Sequence, residues 1–241
     1  MISIIPVEGL PEIAEGDDLA ALIAAAITLE DGDVVCVAHK VVSKAEGRVA
    51  QLDGVEPSER ARELAGQDGD PRRLELVLRE AARILRARPP LVIAETRHGF
   101  VCASAGVDAS NAPEADMVVL LPEDPDASAA LLRAGLEERT GKSLGVVVTD
   151  TFGRAWRFGI ANVAIGAAGI DVLRDLRGEH DPVGYELHST VIAVADEIAA
   201  AAELVMGKTE RVPVAVVRGL DVAGESTAGE LIMPPDQDLF R

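Results

Sequence analysis

The residues best suited to chemistry lie in Thr149-Asp150-Thr151-Phe152-Gly153-Arg154-Ala155-Trp156-Arg157-Phe158-Gly159. A carboxylate at the end of an apolar run is followed by a hydroxyl, a glycine and two arginines, which joins metal ligation to anion recognition in one expected loop. The plainer reading of the same residues is an Arg–Asp pair that locks the loop. In Gly106-Val107-Asp108-Ala109-Ser110-Asn111, Asp108 and Asn111 offer hard oxygen ligands to a divalent cation, and equally make an ordinary turn. His39-Lys40-Val41-Val42-Ser43-Lys44-Ala45-Glu46-Gly47-Arg48 presents two ammonium groups, an imidazole and a hydroxyl that suit phosphate oxygens; the alternative is a solvated charged loop. Pro6-Val7-Glu8-Gly9-Leu10-Pro11 is a turn whose glycine lets a ligand approach the backbone, or which simply ends a strand.

Other chemistries find little support. Gly141-Lys142-Ser143 and Gly207-Lys208-Thr209 look like the end of a phosphate-binding P-loop, but the earlier glycine position holds Leu136 or Ala202, and both tripeptides are expected to follow helices. Four histidines and two cysteines, Cys36 and Cys102, show no zinc-ligand spacing, and no G-x-S-x-G nucleophile elbow occurs. Asp175-Leu176-Arg177-Gly178 and Asp196-Glu197 read as solvated or capping charges.

The elements that must position these residues alternate. Asp17 is expected to cap a helix over Leu19–Ile27, followed by a strand at Val34–Ala38 and a turn at Ser43–Gly47. Ser58 and Asp70-Pro71 open two arginine-rich helices. Strands follow at Leu91–Ala94, Phe100–Ala103 and Met117–Leu121, then a helix from Ala127 to Arg139 and the apolar run Leu144–Thr149. A helix over Thr190–Met206 and a strand at Val214–Val217 complete an α/β pattern, in which a carboxylate such as Asp150 after a buried strand points into a ligand crevice.

Forty-one acidic against 23 basic residues leave a net charge of −18 over 241 residues, which disfavours a nucleic-acid surface. Aromatics at 2% leave few stacking platforms for bases. The N-terminus lacks a secretory layout and no membrane span is expected, so a cytoplasmic location is inferred. An acidic protein that takes anionic substrates needs metal ions and clustered basic groups to offset repulsion, and two of its four lysines, Lys40 and Lys44, fall within five residues.

In order and spacing, Pro6–Pro11, Glu15–Leu19, His39–Arg48, Gly106–Asn111, Thr149–Gly159, Val163–Gly166, Asp175–Gly178, Val194–Met206 with Gly207-Lys208, and Val217–Gly219 resemble the coenzyme F420-0:L-glutamate ligases, or F420 gamma-glutamyl ligases. The resemblance spans nearly the whole chain. It implies a mixed α/β fold, distinct from the P-loop and Rossmann types, in an intertwined homodimer. A single domain over residues 1–241 is expected, without the flavin-reductase-like C-terminal domain of some relatives. It further implies a GTP-dependent amide ligase that adds L-glutamate to F420-0 and then gamma-linked glutamates through an acyl phosphate, with Mn²⁺ or Mg²⁺ and a K⁺ ion in support.

By the same resemblance Asp108 and Asp150 are ligands of one metal and Thr151 stands near a second; Arg154, from the anion-recognising segment, is counted with the two aspartates in the catalytic set. Glu8, Gly9, Leu10, Pro11, His39, Lys40, Lys44 and Asn111 are nucleotide contacts, with Met206, Gly207 and Lys208 closing over them. Relatives often carry a polar run where this chain has Phe158-Gly159-Ile160-Ala161-Asn162, and some offer an oxygen ligand where it has Lys208, an ammonium suited to phosphate instead. A ligase for another carboxylate, with an acceptor pocket around Phe158, and a non-catalytic nucleotide-binding protein are the competing functions. No general base for the amine is assignable. The decisive expectation is that Asp108 and Asp150, distant in sequence, converge on a cation.

Overall fold

The computed structural model describes residues 1–239. In chain order the elements are β1 (Ser3–Pro6), α1 (Leu19–Ala26), β2 (Val34–Ala38), α2 (His39–Ala45), β3 (Val49–Gln51), α3 (Glu59–Ala65), α4 (Pro71–Glu80), β4 (Ala81–Arg88), β5 (Leu91–Thr96) and β6 (Val101–Ala103). They continue with β7 (Met117–Val119), α5 (Pro125–Thr140), β8 (Gly145–Arg154), β9 (Arg157–Ala168), β10 (Arg174–Asp175), β11 (Val191–Ile192), α6 (Val194–Met206) and β12 (Val214–Arg218). No helix among the described residues is long and apolar enough to cross a membrane.

Five strands form the main sheet in the order β1-β12-β2-β8-β9. Only β2 and β8 run parallel; the other neighbours are antiparallel. Alternate residues of the valine-rich strands serve two cores, which is why these strands read as unbroken apolar runs. Val35, Val37, Val146 and Val148 pack with α1 and α5 through Ile23, Leu132 and Leu136. Val34, Cys36, Val147 and Ala215 pack on the opposite face with α6 through Ile198, Ala199 and Ala202. A smaller unit holds α3, α4, β3 and β7 and the sheet β4-β5-β6 around a third core that includes Leu64, Leu74, Val92 and Val118.

Helix starts follow local chemistry. Asp124 accepts the Ala127 amide at 3.0 Å and Pro125 opens α5, while Gly141, in the left-handed region, ends it. Ser58 and Asp70 cap α3 and α4 as expected. At α1 the cap is Asp18, which accepts the Ala21 amide at 2.9 Å; Asp17, the expected cap, accepts the Ala14 amide instead. Both Gly-Lys pairs follow helices, since Gly141 closes α5 and Gly207 closes α6.

Two expected loops are regular structure. Residues 39–45 form α2, not a charged turn: His39, Val42, Ser43 and Lys44 are buried, a helical spacing that residue type alone conceals. The segment after Asp150 is not a loop but a hairpin arm, because β8 continues to Arg154 and β9 returns from Arg157, with Thr151 opposite Asn162 and Gly153 opposite Ile160. The β4 strand had no counterpart in the sequence reading, and the final helix starts at Val194, not Thr190.

Candidate active site

Where β2 gives way to α2, the parallel pairing with β8 stops at the Ala38–Thr149 pair. Asp150 is the next residue, so its carboxylate stands at the carboxyl end of the parallel pair, where such sheets open a crevice. A cavity of about 420 Å³ lies there. Its walls are the turn from Leu10 to Ile13, the first turn of α2, Thr149 to Thr151, Asn162 on β9, and the α6–β12 connection from Met206 to Pro213.

Asp150 Oδ1 accepts the Thr151 amide at 2.7 Å and faces His39 Nε2 at 3.3 Å. Burial by itself would raise the Asp150 carboxyl, but His39, the Thr151 amide and the charge of Lys40 outweigh it and hold the group below its ordinary 3.8. Asp108 comes from the loop beside β7, fixed by backbone hydrogen bonds with Val119 in both directions. Its Oδ1 accepts the Ser110 amide at 2.7 Å, and its Oδ2 accepts the Ser110 hydroxyl at 2.8 Å and Lys40 Nζ at 2.6 Å. Here too burial raises the carboxyl, and Lys40 and Ser110 lower it further than burial lifts it. Lys40 bonds Asp108 directly, and its charge also bears on Asp150.

Two further lysines of the cavity are tied to oxygen. Lys44, buried, pairs with Glu12. Lys208 donates to the Thr151 hydroxyl and lies 3.7 Å from Glu203. Thr151 in turn donates to Asn162 Oδ1 at 2.6 Å, and Asn162 reaches Thr149 at 3.5 Å. Arg211 also lines the cavity and holds a backbone φ of 58°, uncommon for a residue with a side chain.

Of the residues singled out from sequence, Leu10, Pro11, His39, Lys40, Lys44, Asn111, Asp150, Thr151, Met206, Gly207 and Lys208 line the cavity. Asp108 joins it through Lys40. Glu8 and Gly9 lie exposed on the turn that leads into Leu10. Arg154 is not brought to the cavity: it is exposed near the hairpin tip, where its guanidinium donates to the Phe158 carbonyl at 3.3 Å. Phe158 is fully exposed on the same tip and forms no part of the cavity wall. Glu12, Asn162, Glu203 and Arg211 line the cavity although sequence reasoning did not select them. Only Asn162 had a signal, an amide embedded in an apolar strand.

Among the described residues no three or more His, Cys, Asp or Glu side chains cluster as a metal centre. A hard divalent cation needs fewer, since such ions commonly take one or two carboxylates and fill the remaining positions with water and phosphate oxygens. Asp108 and Asp150, both favoured in the ionised form, with the Thr151 hydroxyl and the Asn111 amide nearby, fit that donor chemistry.

The F420-0:Gamma-glutamyl ligase family model matches residues 9–219, a span that contains every wall of the cavity. The chain belongs to this family. It is an enzyme of the ligase class. A protein of Methanopyrus kandleri named Coenzyme F420:L-glutamate ligase is 50% identical over 237 residues, 95% of this chain and 94% of the relative. Proteins with the same name from Archaeoglobus fulgidus and Haloarcula marismortui are 46% and 43% identical, over 100% of this chain and 96% of each relative. The family's shared span thus includes both the strand junction that carries Asp150 and the loop that carries Asp108.

Proposed function

We propose that this chain joins L-glutamate to the carboxylate of coenzyme F420-0 in F420 biosynthesis, with GTP as the energy source, and then adds gamma-linked glutamate. The supporting observation is a cavity lined by Asp150 together with Lys40, Lys44, Lys208 and Arg211, with Asp108 bonded to Lys40. In a molecule of charge −18, such a cluster is what a polyanionic cosubstrate requires. Lys40, Lys44, Lys208, Asn111 and the Glu8–Pro11 turn are the proposed nucleotide contacts, with Met206 and Gly207 shaping the loop above. K⁺ as an accessory ion belongs to the same proposal.

The reaction needs an activated acyl group, because a carboxylate is a poor electrophile. The acceptor carboxylate attacks the γ-phosphorus of GTP and GDP leaves; the glutamate amine then attacks the acyl carbon, phosphate leaves and the amine proton is lost to solvent. The lysines hold phosphate oxygens in line and stabilise charge on the transferred group. The enclosing walls keep water from the acyl phosphate. Asp108, Asp150 and Thr151 would hold Mn²⁺ or Mg²⁺, whose chemistry there is neutralisation of phosphate charge.

The homodimer is part of this proposal, supported by an arm whose Trp156, Phe158 and Ile160 are 82, 106 and 62% exposed. Apolar groups gathered at one projecting tip are what a second copy would cover.

Incubation of the purified protein with F420-0, GTP, L-glutamate and Mn²⁺ is expected to give GDP and a product heavier by one glutamyl unit. No mass gain with any divalent metal overturns the proposal. Asp150→Asn, which keeps the shape and removes the charge, should leave the circular dichroism unchanged and cut turnover by about 100-fold or more.

A further inference from the structure

His39 was expected to touch nucleotide, yet both of its ring nitrogens are already engaged. Nε2 lies 3.3 Å from Asp150 Oδ1, and Nδ1 lies 3.4 Å from the Ser43 hydroxyl. The ring is 2% exposed and Ser43 is fully buried. Because His39 and Ser43 are four residues apart on α2, they share one helical face, and that face looks across the parallel pair to the first residue of β8 beyond it.

The protonation pattern follows from the partners. Asp150 Oδ1 already serves as an acceptor, for the Thr151 amide at 2.7 Å, so the nitrogen that faces it must carry hydrogen; two lone pairs at 3.3 Å would repel. In the neutral ring Nδ1 is then an acceptor, and the hydroxyl of Ser43 is the donor it meets. Both close contacts of the Asp150 carboxylate fall on Oδ1, from the Thr151 amide and from His39 Nε2, while Oδ2 bonds none of the described residues. The carboxylate is thereby pinned by one oxygen and left open at the other.

We propose that His39 is a positioning residue for Asp150: its Nε2–H fixes Oδ1, with Ser43 setting the ring tautomer, so that Oδ2 is the oxygen offered to a divalent cation. The inference rests on the proposed role of Asp150 as a metal ligand. It assigns His39 a task that metal sites commonly give to an outer partner, the orientation of an inner ligand, whose removal costs about 10- to 100-fold in metal affinity.

The first test needs no metal. Nitrogen spectra of ¹⁵N-histidine-labelled protein at neutral pH, with His39 assigned by its loss in His39→Gln, should show hydrogen on Nε2 and an acceptor Nδ1. Hydrogen on Nδ1 overturns the proposal. The second test is Mn²⁺ titration followed by electron paramagnetic resonance, without nucleotide. His39→Ala is expected to weaken Mn²⁺ binding about 10- to 100-fold, and His39→Gln, whose amide N–H can replace Nε2–H, should recover most of it. Equal Mn²⁺ affinity in wild type and His39→Ala overturns the proposal. If Asp150→Asn also keeps wild-type Mn²⁺ affinity, the metal site falls together with the task assigned to His39; if Asp150→Asn loses Mn²⁺ and His39→Ala does not, only the task of His39 falls.

Discussion

Asp150 and Asp196 are carboxylates in similar settings with opposite behaviour. Each is largely withdrawn from water and each accepts a backbone amide, Thr151 for one and Ala164, at 2.9 Å, for the other. Asp150 also has His39 and the Lys40 charge, and it is held below its ordinary value; burial dominates at Asp196, which is raised above 3.8. A raised carboxyl favours the fold while protonated, so its contribution is complete below 3.8 and is lost as pH rises through the folded-state value. Asp196→Asn, which keeps an acceptor for the Ala164 amide, should therefore raise Tm near neutral pH by about 2 °C, and the gain over wild type should vanish in scanning calorimetry at acidic pH. Asp70 has the reverse sign: the hydrogen bond from Arg72 lowers its carboxyl, so its support of the fold is full above 3.8 and fades as pH falls below it. At this scale the sequence was readable by residue type. Asp108, Asp150, Lys40 and Lys44 stand in strings whose chemistry is visible one letter at a time, whereas Glu12 and Arg211 are ordinary surface letters until the fold brings them to the cavity.

At the scale of elements, three of the five strands of the main sheet, β2, β8 and β12, were legible because Val34–Ala38, Leu144–Thr149 and Val214–Val217 are buried and carry no polar alternation to confuse them, whereas β1 and β9 were not. The α2 helix was not, because its buried face includes a histidine, a serine and a lysine, residues that usually seek water. The hairpin arm was missed for a related reason: its glycines, arginines and exposed aromatics mimic a loop, and only the cross-strand pairing with β9 makes it a strand. Gly166 shows how tightly these elements meet. A methyl group built there would run into the Pro125 carbonyl at the start of α5, a backbone atom that cannot swing aside. Gly166→Ala should destabilise the protein by about 1–3 kcal/mol, measured as a lower urea midpoint with an unchanged slope.

For the whole molecule, the arm tip exposes Trp156, Phe158 and Ile160. Phe158→Asp should place a charge in the proposed contact between copies, and light scattering is expected to show the mass fall from twice the chain mass to one, with far-ultraviolet circular dichroism retained. A wild-type protein that scatters as a monomer at micromolar concentration removes the homodimer from the proposal. The sheet order carries another consequence. β12 sits between β1 and β2, pairing Arg218 with Ser3 on one side and Val214 with Val37 on the other, and the strand is reached through the connection that walls the cavity. During synthesis the first strands must wait, with their apolar faces uncovered, until residue 218 has left the ribosome. A polypeptide halted before that connection is made lacks both the strand that joins β1 to β2 and one side of the cavity, so under the proposed function stalled translation products should bind no triphosphate and fall to quality control.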